Sequence, residues 1–312
     1  MKPGILLLAP LRAEDETLLA ESYSLYRPPS EAAIDETVRE HGPNIRAVIT
    51  TGRVGVSPEQ MTAMPELGIV LFKGAGYEGI DLDLARQRGV AVVNGAGTNA
   101  ASVADHALGL MLAAARGIVR ADRQVREGGW TGAREMRPMI SDKRLGIVGL
   151  GRVGSQVAKR AIGFDMRVSY HGRAPKDVPY EFVPTAIELA RSSDFVVLSC
   201  PGGPATAGLV DRAFLEALGP AGFLVNVARS SVVVTKDLVE ALIQGSIAGA
   251  AVDLWEGEPE PVIPESLIGA RNVVFTPHIA ARSPETADAA IRQIVENLSA
   301  HFRGDPLTER VA

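Results

Sequence analysis

Residues 145–155 read Leu-Gly-Ile-Val-Gly-Leu-Gly-Arg-Val-Gly-Ser, and a second apolar run, Arg-Val-Ser-Tyr-His at 167–171, is followed by Gly172-Arg173. The short run at 145–148 feeds straight into Gly149-x-Gly151-x-x-Gly154, after which Val157, Ala158, Ala161 and Ile162 recur at helical spacing. Strand, glycine turn, helix and strand form a β-α-β unit, the context that separates a dinucleotide-binding turn from a chance glycine match. Gly149 permits the tight turn, Gly151 lets backbone approach a pyrophosphate, and Gly154 lets helix pack on strand. Arg152 and Val153 open the helix, whose unpaired N–H groups and positive dipole end favour phosphates.

Strand-like runs continue downstream at residues 195–199, 223–227, 250–253 and 273–276, with a clear helix at 235–244 ended by Gly245. Together with 145–148 and 168–170 they predict a six-stranded dinucleotide-binding sheet. Upstream, residues 5–8, 47–50, 69–72 and 91–94 read as buried parallel strands. Helical segments near 31–40, 57–63 and 81–88 lie between them, the second opening on Ser57-Pro58. Two glycine-rich loops, at 51–55 and 73–77, follow strand ends of this small α/β domain, where open sheets place ligands. Their backbone N–H groups can hold a carboxylate, although plain turn chemistry alone accounts for such glycines.

Residues 94–102 predict a crossing between domains, and 103–116 a helix apolar on nearly every side, hence buried in its own domain or against another subunit. Asp105-His106 reads as a helix-terminal charge and a core histidine, in preference to a chemical role. A last helix, 284–302, carries an Ala/Ile/Val stripe that predicts a return to cover the first domain.

The chain has 312 residues, 46% of them hydrophobic, and a net charge of −5 with both signs dispersed. That is enough for two cores, and it argues against a nucleic-acid or membrane-surface partner. Cys200 is the only cysteine, which excludes an intrachain disulfide and a cysteine-cluster metal site; no metal is expected. The first apolar run is too short for a signal-peptide core, and the longest, 107–115, is far below the roughly 20 residues that span a bilayer. A cytoplasmic protein is the expectation.

Arg229, Glu258 and His278 follow the last three strands at their carboxyl ends, where the reactive end of a bound dinucleotide falls. Each is ordinary alone; Pro277 stiffens the loop that carries His278. Together they make coincidence the weaker explanation. Cys200-Pro201-Gly202-Gly203 also follows a strand near the expected cofactor, with Cys200 read as a packed small residue rather than a nucleophile.

These pieces occur in fixed order: Gly74-Ala-Gly-Tyr77, Ile80-Asp81-Leu82, Val103-Ala-Asp-His-Ala107, Gly149-Leu-Gly-Arg-Val-Gly154, Asn226-Val-Ala-Arg229, Ala251-Val-Asp253, Glu258-Pro259 and Thr276-Pro-His-Ile279. In this order the chain resembles, over nearly all its length, the D-isomer-specific 2-hydroxyacid dehydrogenase family, in particular its NADPH-preferring glyoxylate/hydroxypyruvate reductase-like branch. The resemblance implies two doubly wound parallel-sheet α/β domains. A Rossmann NAD(P)-binding domain, 99–283, is inserted into a flavodoxin-like substrate domain, 1–98 with 284–312.

It further implies that Arg229 clamps the carboxylate and carbonyl oxygen of a 2-oxo acid. His278 protonates that oxygen as hydride arrives, Glu258 fixes the histidine tautomer and raises its pKa, and Asp253 orients the nicotinamide carboxamide. Val54, Gly55 and Gly76 supply N–H groups to the substrate carboxylate. Two departures bear on the loop beside Arg229: Ser230 and Val234 stand where relatives commonly have glycine and aspartate.

An NAD site calls for an acidic residue about 20 positions after the glycines. Here the second strand ends in His171-Gly172-Arg173, with Gly172 where NAD-type relatives have aspartate, while Asp165 precedes the strand and lies at its wrong end. Arg173 with Lys176 suits a 2′-phosphate, so NADPH is expected over NAD(H). The leading expectation is reduction of glyoxylate or hydroxypyruvate to a D-2-hydroxy acid. Arylpyruvate reductases and a dinucleotide-sensing corepressor-like protein are the alternatives. A phosphoglycerate dehydrogenase is disfavoured because the sequence stops at Ala312 with no added regulatory domain. A homodimer is expected from the apolar 103–116 helix, and Trp130, Arg137 and Met139 are read as loop packing in preference to reaching a partner's site.

Overall fold

The computed structural model describes residues 2–257, 260–270 and 272–312. The chain forms two compact units: Met1–Asn99 with Ser283–Ala312, and Ala100–Arg282.

In the first unit, β1 (Gly4–Leu7), β2 (Ser24–Tyr26), β3 (Ile45–Thr50), β4 (Ile69–Phe72) and β5 (Ala91–Asn94) pair in the order β2-β1-β3-β4-β5. Every pairing is parallel, the doubly wound 2-1-3-4-5 arrangement of flavodoxin-like sheets. The central strands are buried throughout, which is why they read as unbroken apolar runs. β2 is an addition to the four strands read from sequence; it lies at the sheet edge, only half-buried, and lacks such a run.

Helix Pro58–Thr62 starts as its Ser-Pro opening predicts. The Ser57 hydroxyl accepts the Gln60 N–H, and the Gln60 side chain accepts the Ser57 N–H, a complete capping box. The last helix, Pro284–Arg303, buries Ile291, Ile294 and Leu298 in one cluster with Ile5, Leu7, Ile49 and Leu71. The chain end then pairs with β5, the Val311 N–H donating to the Val92 carbonyl, and so covers an otherwise open sheet edge.

The second unit holds β6 (Arg144–Val148), β7 (Arg167–His171), β8 (Glu181–Phe182), β9 (Phe195–Leu198), β10 (Phe223–Asn226), β11 (Gly249–Val252) and β12 (Val273–Phe275). Their order is β12-β11-β10-β9-β6-β7-β8, all parallel. This is the Rossmann order with one strand more than the six read from sequence, because the two-residue edge strand β8 carries no apolar run. The order reverses between β6 and β9, so the turns after these two strands flank the crevice where such sheets bind ligands.

Helix Ala100–Arg116 begins three residues earlier than expected and buries Val103, Ala104, Ala107, Leu108, Leu110 and Met111. Its neighbours in that core are Leu145, Ile147, Val157 and Ala161 of the same unit. Its apolar surface is therefore consumed internally, and the expectation of a dimer loses that support. Among the described residues no single helix is long and apolar enough to cross a membrane; this helix and Ile118–Arg126 together have the length but meet at a 60° bend.

Candidate active site

Gly149, at the end of β6, adopts φ 94°, and a Cβ there would sit 2.6 Å from the Cα of Cys200, at the end of β9. Glycine is thus required both by the turn and by the neighbouring strand end. A Cβ on Gly154 would lie 2.3 Å from the Gly149 carbonyl, whereas one on Gly151 would meet nothing within 4 Å. The first and third glycines close the fold on itself; the second faces open space. Helix Arg152–Ile162 begins at Gly151 with no side-chain cap and no acidic residue in its first turn. Its N-terminal N–H groups are therefore offered outward, as an anion needs.

Beyond β7, the Tyr170 hydroxyl, fully buried, accepts the Lys176 N–H at 2.6 Å. The Lys176 ammonium donates to the Leu150 carbonyl at 2.6 Å, which brings a cation onto the glycine turn itself. Arg173 is exposed and makes no ion pair among the described residues. His171 is half-buried, its Nδ1 3.0 Å from the Val183 carbonyl. Gly172 has nothing within 4 Å of a built Cβ, so packing does not dictate glycine at this strand end. Cys200 is buried, and burial pushes its thiol pKa up, as suits a packing residue and not a nucleophile.

Arg229 leaves β10 in an extended conformation before a single 3-10 turn, Ser230–Val232. The buried Asn226 shapes this exit: its side-chain oxygen accepts the Ala228 N–H and its amide donates to the Arg229 carbonyl. The loop after β9 lies over it, since a Cβ on Gly202 would come 2.9 Å from the Arg229 Cγ. The loop carrying Pro201 is held in turn by the Thr206 hydroxyl on the Pro201 carbonyl.

His278 is exposed and adopts φ 52°, a region few non-glycine residues occupy. Its N–H donates to the Asp253 carbonyl at 2.7 Å. The next two N–H groups, of Ile279 and Ala280, donate to the Asp253 carboxylate at 3.0 Å each, an anion seated in a turn of backbone amides. The Thr276 hydroxyl donates to the same carboxylate at 2.5 Å, and His106 Nε2 lies 3.3 Å from it. Burial alone would raise the Asp253 pKa, but the bonds from His106, Thr276, Ile279 and Ala280 outweigh it and bring the group to about 2.

The Asp253 side chain has no exposed surface. It holds the turn that presents His278. Glu258 lies outside the described residues.

His106 was read from sequence as a core histidine. Instead its Nε2 lies 3.0 Å from the Thr276 hydroxyl, while Asp105 pairs with Arg160. The signal available in the sequence was the i, i+4 spacing of Ser102 and His106 on a helix whose other polar side chains are Asp105 and Arg116.

In the first unit, the loops after β3 and β4 interlock. Gly55 adopts φ 66°, and a Cβ there would strike the Gly79 carbonyl at 1.9 Å. The Gly55 N–H closes the turn onto the Thr51 carbonyl at 2.9 Å, so Gly55 shapes the loop and is not the free donor expected. The Val54 N–H points to the Thr51 hydroxyl at 3.3 Å, whereas the Gly76 N–H has no acceptor among the described residues. Among the described residues, no group of three or more His, Cys, Asp or Glu side chains is placed to hold a metal ion.

Residues 108–280 match the D-isomer specific 2-hydroxyacid dehydrogenase NAD binding domain. The chain is 38% identical over 306 residues to a hydroxyphenylpyruvate reductase of Plectranthus scutellarioides, covering 97% of each. It is 37% identical over 309 residues to a glyoxylate/hydroxypyruvate reductase A of Arabidopsis thaliana, again covering 97% of each. Its structure is similar to that of an NADPH-dependent glyoxylate/hydroxypyruvate reductase from Sinorhizobium meliloti in complex with NADP and malonate. There the TM-score is 0.90 and the identity 33%, covering 100% of this chain and 97% of the other.

Proposed function

The chain belongs to the D-isomer specific 2-hydroxyacid dehydrogenase family, and we propose that it uses NADPH to reduce small 2-oxo acids, glyoxylate and hydroxypyruvate foremost. Membership makes it an oxidoreductase that works with a nicotinamide dinucleotide on a small-molecule substrate. The residues suit that cofactor: the helix after the glycine turn is uncapped and without acids, and Gly151 leaves backbone approachable.

When bound, the dinucleotide supplies the hydride; the chain supplies the rest. Arg229 binds the substrate carboxylate and carbonyl oxygen through its planar fork. His278 delivers a proton to the carbonyl oxygen and takes one in the reverse direction; the family resemblance assigns Glu258 as its partner. Asp253 keeps His278 in its unusual backbone conformation. In the first unit, Gly55 fixes the loop that carries the Val54 N–H, and we assign the Val54 and Gly76 N–H groups to carboxylate binding. An acid, an electrostatic clamp and a hydride donor are the three requirements of carbonyl reduction.

The observation that carries the NADPH assignment is the end of β7. No acidic side chain stands at Gly172, Arg173 is exposed and makes no ion pair among the described residues, and the Lys176 ammonium sits on the glycine turn. A ribose 2′-hydroxyl finds no carboxylate there, while a 2′-phosphate finds two cations. The test is kcat/KM with NADPH and NADH across glyoxylate, hydroxypyruvate and hydroxyphenylpyruvate. A clear preference for NADH sinks the cofactor assignment. Hydroxyphenylpyruvate belongs in the panel because the Plectranthus relative bears that activity in its name, and faster turnover of it shifts the reading to arylpyruvates.

The same proposal includes a cytoplasmic homodimer. Helix Ile118–Arg126 has no buried residue, and Ile118, Val119 and Val125 are exposed together with Trp130, Met136 and Met139 of the following loop. Apolar side chains in that number on one helix and its loop call for a cover, which we assign to a second copy of the chain.

A further inference from the structure

We propose that Ser102 and His106 are positioning residues for His278, so that helix Ala100–Arg116 sets the geometry of the proton-transfer loop. The proposal rests on the reading of His278 as the proton donor. Ser102 and His106 are one helical turn apart and face the same loop. The Ser102 hydroxyl donates to the Ala280 carbonyl at 2.7 Å, and His106 Nε2 reaches both Thr276 and Asp253. The segment 276–280 follows a strand of only three residues and carries His278 in the left-handed region. Such a conformation persists where its surroundings over-determine it.

Those surroundings are two residues deep. Asp253 holds the turn through the N–H groups of Ile279 and Ala280, and His106 with Thr276 holds Asp253. Because the Asp253 carboxylate is ionised over the working pH range, it accepts only, and His106 Nε2 faces it as a donor. Removing that donor leaves Oδ1 with fewer partners and frees the Thr276 hydroxyl to rotate. The turn then loosens beneath His278 without any change to the glycine turn or to Arg229. A histidine serving only as core filler has no reason to aim its distal nitrogen at a buried carboxylate.

The experiment compares His106→Leu, His106→Gln, Ser102→Ala and His278→Ala in the full chain. The readouts are kcat and KM with NADPH and glyoxylate, NADPH Kd by fluorescence, and proton NMR of the five histidine rings. His106→Leu is expected to lower kcat by about 10- to 100-fold, as a misplaced reacting group does, with NADPH Kd unchanged. It also moves the ring resonance of His278. His106→Gln, whose amide can donate the same hydrogen bond, restores most of kcat and the wild-type resonance. Ser102→Ala lowers kcat severalfold and keeps the question open to measurement if His106→Leu fails to fold.

Wild-type kcat and an unmoved His278 resonance in His106→Leu and Ser102→Ala overturn the proposal, as does a His106→Gln protein as slow as His106→Leu. If His278→Ala is inactive in those cases, the positioning role alone has failed. If His278→Ala turns over at the wild-type rate, the proton-donor reading has failed and takes the positioning role with it.

Discussion

The backbone of His278 hangs on Asp253: its N–H donates to the Asp253 carbonyl at 2.7 Å, and the two N–H groups that follow donate to the carboxylate. Asp253→Asn replaces one acceptor oxygen by a donor that faces other donors. Turnover is expected to fall by about 100-fold while NADPH still binds, because the loss is one of positioning. The variant also reports on acid stability. The folded pKa of Asp253, about 2, lies below the ordinary 3.8, so its contribution is complete above about pH 4 and is lost as pH falls toward 2. That contribution is about 2 kcal/mol. Denaturant melts of both proteins between pH 6 and pH 2 check it, the wild-type advantage narrowing only in the lower part of that range.

Cofactor choice rests on a strand end that packing leaves unconstrained. Arg173→Ala is expected to reduce kcat/KM for NADPH by about 10- to 100-fold, the range of a lost charge-assisted hydrogen bond, and to leave NADH nearly unaffected. Gly172→Asp adds a side chain where a Cβ meets nothing within 4 Å, so the fold accepts it. It should raise NADH efficiency and depress NADPH efficiency together, since a carboxylate bonds a 2′-hydroxyl and repels a 2′-phosphate. Initial rates with both cofactors on the two variants and the double variant decide the matter.

The central strands were legible because burial on both faces writes itself as an unbroken apolar run, as in Ile69–Phe72 and Phe195–Leu198. The edge strands β2 and β8 were not, being short and partly exposed. Helix Ala13–Ala20 escaped for a different reason: one of its two buried residues is Asp15, which is at home there only because Arg12 pairs with it at 2.8 Å. Of the proposed site, the glycines, Arg229 and His278 sit in local motifs that nominate them from sequence. His106 is not nominated in that way, because Thr276, which gives it meaning, is 170 residues away. Gly55 also sits in a local motif, but that its N–H closes a turn onto the Thr51 carbonyl is something periodicity does not describe.

Helix Ile118–Arg126 gives the proposed dimer a direct test. Arg123–Glu127 and Arg126–Asp122 pairs occupy its polar side, and Arg120 and Arg137 both bind Glu135, folding the following loop back on it. Val119→Asp is expected to weaken dimerisation by about 30-fold or more, the scale of a central interface residue, with the far-UV spectrum unchanged. Sedimentation velocity across a concentration series reads this directly.

Val234 occupies the cap position of helix Thr235–Gln244, and no side chain caps that helix. Val234→Asp is expected to stabilise the second unit by about 1 kcal/mol by accepting an N–H of the first turn. Thermal unfolding checks the sign. Because Val234 is one of two departures beside Arg229, the same variant measured for glyoxylate KM tells whether stability and substrate fit separate there.

The Ser102–Ala280 hydrogen bond has a consequence for how one domain can be carried inside another. It joins the third residue of the second unit to the third from its end, so that unit begins and ends at nearly the same place. For the chain of the first unit, the insertion therefore acts as a bridge of a few residues and not as a loop as long as residues 100–282. Loop-closure entropy grows by about 0.6 kcal/mol per doubling of length, which puts the difference near 3 kcal/mol. The hydroxyl of Ser102 thus helps make the inserted domain a detachable cassette, one whose removal and replacement by a short linker should leave the host's strands able to find each other.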